Sequence, residues 1–512
     1  MSQERRSTGR FLLVIACIFV ITFVSACGGG GGESATTVPD TGSDPTVAAG
    51  AATGPTSVPT PIIAATAKIE VKPTGVAAVE CQDGQKQLVW MVRNSPVEND
   101  WETRIVRPAF QKAQPDICLQ ILSINQDDIA VKRQAMITSG QPLHVWSPNW
   151  GGNGFASDRV NGLLEDLTPF IDRDKFDTSI FVPDALKTYQ SEGKTWGLPL
   201  LATGSYIYYN QELFDEAGIP YPPVDWDDKS WTWDKFIDIA KKLTKSTGNI
   251  NRAQFGASVS VVNGNIEGPP MMWGHDIWPK GAYQAGFAEG VDLTNEQSTQ
   301  AYQAFHDAVH KDKVAPNPAT VSALDQLGGV FASGKVAMEF QGGWGHWVYK
   351  DLITDPNGFC WGAAPLPHGT PDAKVRAMTF TDPWVMTSGM NKEDQDLAWT
   401  FIKFLVSEEQ ATAYSEVTGT PPTQPKLLET YYKQFEKCMK AEDMKTVFEG
   451  AFTHGRTGSK AVMVGADELG QVWTNNLESF SSNRNAKASE LLPGMEKQTN
   501  ETLQQLKAES QE

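Results

Sequence analysis

From residue 86 onward, apolar and polar positions alternate between strand-like runs and helix-like periods. Gln87–Arg93 (QLVWMVR) is short and mostly apolar, the pattern of a strand buried on both faces. Asp100–Ala113 spaces Trp101, Ile105, Val106 and Phe110 along one side of a predicted helix. Ile117–Ile124 (ICLQILSI) reads as a second strand, Asp127–Ser139 as a helix closed by Gly140, and Leu143–Trp146 as a third strand. Strand, helix, strand, helix is the order of parallel α/β construction.

Thr195–Leu201 and Ser205–Asn210 are also extended in pattern. Leu213–Ala217 ends at Gly218, and Pro220, Pro222 and Pro223 then impose a loop. Trp233–Leu243 is amphipathic with Asp234 in its first turn. Further helices are predicted at Asn295–Lys311, Lys392–Ser407, Lys426–Ala441 and near Ala466–Phe480, and strands at Val336–Phe340 and Val385–Thr387. The chain shows no internal repeat.

Before residue 86 the pattern changes. Arg5, Arg6 and Arg10 precede Phe11–Val24, a run in which only Thr22 is polar. It is shorter than the roughly 20 residues of a spanning helix and has the length of a secretory h-region. Val24-Ser25-Ala26-Cys27 resembles a bacterial lipobox, which implies that Cys27 is diacylated and becomes the first mature residue. Residues 1–26 are thus read as a lipoprotein signal peptide. Residues 27–84 are rich in Gly, Ala, Thr and Pro and too poor in large apolar groups to offset the entropy of ordering. They are read as a lipid-anchored tether, whose r.m.s. span would be roughly 40 Å. No second apolar stretch of spanning length follows, so the mature chain is expected outside the cytoplasm, soluble apart from its lipid.

A length of 512 residues implies two or more lobes. The net charge of −18 argues against a nucleic-acid partner, which needs a positive field. The 16 tryptophans supply aromatic surface for packing or for ligands. Beyond Cys17 and Cys27 the cysteines are Cys81, Cys118, Cys360 and Cys438. Outside the cytoplasm an even count favours disulfides, with three possible pairings. Cys81 precedes the first strand and Cys118 opens the second, so Cys81–Cys118 with Cys360–Cys438 is preferred. No Cys or His cluster has zinc-like spacing, and no metal or cofactor is expected.

Several stretches, in order, resemble the extracellular solute-binding proteins (family 1) of ABC importers, which include the maltose-binding proteins. The most specific is Phe331–Trp344 (FASGKVAMEFQGGW). A second joins Gly197-Leu-Pro199 to Tyr208–Gly218 (YYNQELFDEAG) and Ser230–Phe236 (SWTWDKF). Leu397–Ser407, Val417–Pro422 and Gly162–Leu167 add further matches. The family often has Pro-Asp-Val where this chain has Pro142-Leu-His-Val-Trp146, so His144 stands at the usual Asp. The resemblance implies an α/β, two-lobed, periplasmic-binding-protein-like (type II) fold with a ligand cleft and a hinge. Lobe 1 would comprise 85–202 plus 363–413, and lobe 2 would comprise 203–362 plus 414–512. Leu201–Gly204 is then a hinge candidate.

Sugar sites combine aromatic faces, which stack on ring C–H groups, with planar polar side chains that bond hydroxyls. Asn149 and Trp150 follow the third strand directly, where open α/β sheets put ligands. Trp344 follows two glycines at the end of a strand and is the strongest candidate by resemblance. Asp382 and Trp384 precede the strand at Val385–Thr387. Trp273 lies in a Gly/Pro-bounded loop, Tyr206 follows the hinge, Glu98 follows the first strand, and Trp473 sits late in the chain. These loops lack an Arg or Lys cluster, which favours a neutral ligand over a phosphate ester. The function expected is a binding lipoprotein of an ABC importer that delivers a carbohydrate to the transmembrane subunits of a permease, acting as a monomer. The alternatives are a polyol, phosphate ester or peptide as ligand, or an extracellular carbohydrate-active enzyme. No Gly-x-Ser-x-Gly or His-Glu-x-x-His is present to support an enzyme.

Overall fold

A computed structural model of the chain describes residues 79–151, 154–246, 252–259 and 265–509. The stretches read as a signal peptide and a tether, as far as residue 78 and including Cys27, lie outside these residues. The main strands are β1 (Lys86–Arg93), β2 (Ile117–Ile124), β3 (Val145–Trp146), β4 (Leu198–Asn210), β5 (Met338–Gly342), β6 (Trp361–Ala364), β7 (Ala377–Met386) and β8 (Gly455–Thr457). They join in the order β2-β1-β3-β7-β4-β5, with β6 also on β4 and β8 also on β7. The strands β1, β2 and β3 are parallel, as their separation by helices requires. β7 runs antiparallel to β3, and β4 antiparallel to β7, β5 and β6.

Two apolar cores flank this sheet. One gathers Leu88, Trp90, Trp101, Leu119, Trp146, Trp150, Trp384 and Phe401. The other gathers Tyr206, Tyr208, Trp233, Trp273, Phe305, Trp361, Phe448 and Trp473. β4 connects them. Its Leu198–Gly204 half pairs with β7, and its Ser205–Asn210 half pairs with β5 and β6. Thr195 belongs to a separate two-residue strand, Lys194–Thr195, but from Leu198 onward the two extended stretches read from the sequence are one strand of 13 residues. The hinge candidate Leu201–Gly204 lies inside it. Gly204 is needed there for close packing, since a Cβ would sit 2.5 Å from Cβ of Ala451.

β1, β2 and the helix Trp233–Leu243 lie where the pattern puts them. The helix predicted at Lys426–Ala441 instead ends at Lys433. The chain turns there, bringing Cys438 to Cys360, and a separate helix Ala441–Thr453 follows. Cys81 pairs with Cys118 and Cys360 with Cys438. His144 is buried, and its Nδ1 accepts the Val89 N–H at 3.0 Å. It braces β1 from within rather than facing solvent.

Candidate functional site

A cavity of about 510 Å³ opens where the two cores meet. Its floor is the middle of β7, Met378–Asp382. Asn149 comes from the loop after β3 and Trp344 from the turn after β5. Gly458–Ala461 and the helix Ala466–Ser482 supply the remaining wall through Asp467, Gln471, Trp473 and Thr474. Four of the residues singled out in the sequence thus converge: Asn149, Trp344, Asp382 and Trp473.

Trp344 is half-buried, with its ring edge-on to Phe380 at 4.7 Å between centroids. The glycines before it are explained by space. A Cβ on Gly342 would sit 2.2 Å from the Trp344 ring, and one on Gly343 would sit 1.6 Å from Thr203 Oγ1. The glycines therefore let the indole pack close against its own backbone. Trp344 also borders an adjoining cavity of about 720 Å³, which reaches Phe305, His306, Glu339 and Phe340.

Asp382 is held from the core side. The Trp150 indole N–H donates to its Oδ2 at 2.9 Å. Burial pushes the carboxyl above its ordinary range, against the pull of Arg93 and the Trp150 donor. Arg93, at the end of β1, forks onto Glu98 with bonds of 2.5 and 2.8 Å. Its guanidinium lies 4.7 Å from the Trp150 ring centre and 4.6 Å from that of Trp347. Burial opposes that charge, but the Glu98 carboxylate outweighs it and holds the guanidinium above its usual range. Glu98 is buried and also accepts the Tyr414 hydroxyl at 2.9 Å. It anchors the arginine and does not line the cavity.

Asn149 faces the cavity with its amide already oriented. Its Nδ2 donates to the Thr381 carbonyl at 2.7 Å and to the Tyr189 hydroxyl at 3.1 Å, and its Oδ1 accepts the Phe155 N–H. Trp150 and Trp384, in contrast, are buried edge-to-face on each other at 5.2 Å. Trp273 packs on Trp233 inside the second core, and Tyr206 lies on Phe448 with its hydroxyl accepting the Gly204 N–H. None of these four is among the residues lining the 510 Å³ cavity. Trp473 lines it but is mostly buried, its N–H donated to Thr499 Oγ1 at 3.0 Å.

One cluster at the cavity was not singled out in the sequence. Glu267 is buried and receives Arg456 at 2.5 Å, the Ser459 N–H at 3.0 Å and the Ser459 hydroxyl at 2.6 Å. Burial alone would raise its pKa, but Arg456 and Ser459 prevail and hold it below the usual carboxylate range. The polar run His454–Lys460 (HGRTGSK), between two predicted helices, was the available signal. Among the described lining residues Lys460 is the cationic one, since Arg456 is paired beyond the wall. The wall offers amides, hydroxyls, carboxylates and one half-exposed indole. This is equipment for binding hydroxyl-rich, uncharged molecules.

Residues 107–440 match the family described as bacterial extracellular solute-binding protein, and the chain belongs to that family. It is similar to the maltodextrin-binding protein MdxE of Bacillus subtilis, 23% identical over 63% of this chain and 76% of the relative. It is also similar to a lactose-binding protein of Rhizobium radiobacter, 27% identical over 27% of this chain and 32% of the relative. Among solved structures, the ABC substrate-binding protein Lmo0181 of Listeria monocytogenes in complex with cycloalternan superposes with a TM-score of 0.67. It is 20% identical over 82% of this chain and 99% of that one. Maltose-bound MalE3 of T. maritima gives a TM-score of 0.64 at 17% identity, over 82% and 99% of the two chains. These likenesses establish the two-lobed α/β fold.

Proposed function

We propose that the protein is the binding component of an ABC importer and captures a mono- or oligosaccharide in the cleft beside Trp344. The observation that carries this reading is the joining of a half-exposed indole to amide, hydroxyl and carboxylate groups drawn from both cores. An indole face suits the C–H patch of a sugar ring, and Asp382, Gln471 and Thr474 suit its hydroxyls. The sugar-binding names among the relatives support the same ligand class. A single lysine argues against a phosphate ester, which is better served by an arginine fork.

Ligand contacts to both cores would favour a closed arrangement over an open one, and closure would report occupancy to the permease. Cys27, through its lipid, would keep the receptor near that permease as a monomer on the outer face of the cell membrane. No covalent chemistry is required of the cleft. Calorimetric titration with a panel of mono- and oligosaccharides tests the ligand class, and no heat with any of them would refute it. Replacing Cys27 with Ser tests the anchor: the variant should leave the membrane fraction, and unchanged membrane association would refute lipidation.

A further inference from the structure

Beside Trp344 the cleft wall is interrupted by a notch of about 50 Å³, bordered by Met272, Phe305, Phe340, Trp344, Met378 and Phe380. It adjoins both larger cavities, sharing Met378 and Phe380 with one, Phe305 and Phe340 with the other, and Trp344 with both. Its lining is more apolar than that of either. Its edge has two polar side chains, Ser205 and Gln341. Ser205 Oγ accepts the Met378 N–H at 2.9 Å and donates to the Met378 carbonyl at 3.4 Å. Gln341 Oε1 accepts the Gly342 N–H at 3.0 Å. A hydroxyl entering the notch would give up water among apolar walls, whereas a methyl group would gain by entering.

The size limits the occupant. The notch has about a tenth or less of the volume of either cavity it joins, so it suits a small substituent of a sugar seated in the cleft. We infer that the cleft selects carbohydrates bearing a methyl group, as a 6-deoxy or O-methyl sugar, with that methyl seated in the notch behind Trp344. This inference rests on the carbohydrate reading of the cleft and narrows it.

Gly268 supplies the means of testing it. It borders the notch, and a Cβ built on it meets nothing nearer than Met378 Sδ at 4.0 Å. Gly268→Val therefore fills the notch from the wall, and Gly268→Ala fills less of it. The experiment is calorimetric titration of the full chain with D-glucose, D-galactose, D-mannose and maltose, each beside its 6-deoxy and mono-O-methyl derivatives. A seated methyl contributes roughly fourfold in affinity, and a hydroxyl forced into the same place costs about tenfold. A methyl-bearing sugar should therefore bind at least tenfold tighter than its parent. The 6-deoxy and O-methyl arms tell which substituent is preferred. Gly268→Val should abolish the gain, and Gly268→Ala should reduce it, while both stay folded by circular dichroism and keep the parent sugar's affinity. Parent and derivatives binding within twofold of one another would overturn the inference and leave the carbohydrate reading intact, as would a gain that survives in folded Gly268→Val. No binding by any of these sugars would overturn both.

Discussion

The indole N–H of Trp150 donates to Oδ2 of Asp382 at 2.9 Å, so a fully buried tryptophan holds a carboxylate of the cleft wall. Trp150→Phe keeps the ring and removes the donor. Stability should fall by about 1–3 kcal/mol, the range for losing a hydrogen bond to a charged group in a shielded place. The Trp150 donor favours the charged form of Asp382, so the variant's carboxyl should titrate higher still. Ligand affinity in the variant should therefore decline at a higher pH than in the wild type as the solution is acidified. Titration calorimetry between pH 5 and 8, with parallel thermal melts, reads both effects.

Glu339 gives a stability term of defined sign. It is buried, its Oε2 accepts the Tyr349 hydroxyl, and burial pushes its pKa up to about 7. Between about pH 4.5 and 7 the folded chain keeps this proton and the unfolded chain releases it. Stability from this group therefore falls as pH rises through that window and is lowest above pH 7. His346 works the opposite way, because burial pushes its pKa down to about 3 and folded stability is lost as pH falls below its ordinary value. Comparing Glu339→Gln with the wild type isolates the first term. The variant should be more stable at pH 8, by about 1–3 kcal/mol, and nearly equal to the wild type at pH 4. Denaturant melts at the two pH values check it.

The disulfides Cys81–Cys118 and Cys360–Cys438 span 37 and 78 residues. Loop-closure entropy makes each worth about 2–4 kcal/mol, with the longer loop at the upper end. Replacing both cysteines of either pair with serine should lower the melting temperature, and the Cys360–Cys438 variant should lose more. The Cys360–Cys438 bond also ties β6 to the turn after Lys433, so its loss should expose Tyr432 and Phe435 to quenchers first.

The parts legible in the sequence are those with strong local periodicity. β1, β2 and the helix Trp233–Leu243 have dense, regular apolar positions that leave one assignment. The helix Ala488–Glu509 was not legible, because Pro493-Gly494 interrupts a mostly polar run. It forms because Leu492, Met495 and Leu503 find a core to cover. At the site, residue types were readable and depth was not. Phe380, Asp382 and Trp384 share one face of β7 by alternation. The first two line the cavity and the third is inside the core, since the cleft ends partway along the strand. Asn149 and Trp150 are neighbours in sequence, yet one faces the cavity and the other is buried. The tertiary position of a loop decides that, and no local pattern encodes it.

The central claim is that the cleft between the two cores, walled by Trp344 on one side and Asp382 on the other, binds carbohydrate. Its most direct test is calorimetric titration of the tightest sugar in the panel into wild type, Trp344→Ala and Asp382→Asn, with circular dichroism to confirm folding. Each substitution should weaken binding at least tenfold, about 1.4 kcal/mol, because one removes the stacking face and the other a hydroxyl partner. Wild-type affinity in both folded variants would contradict the account.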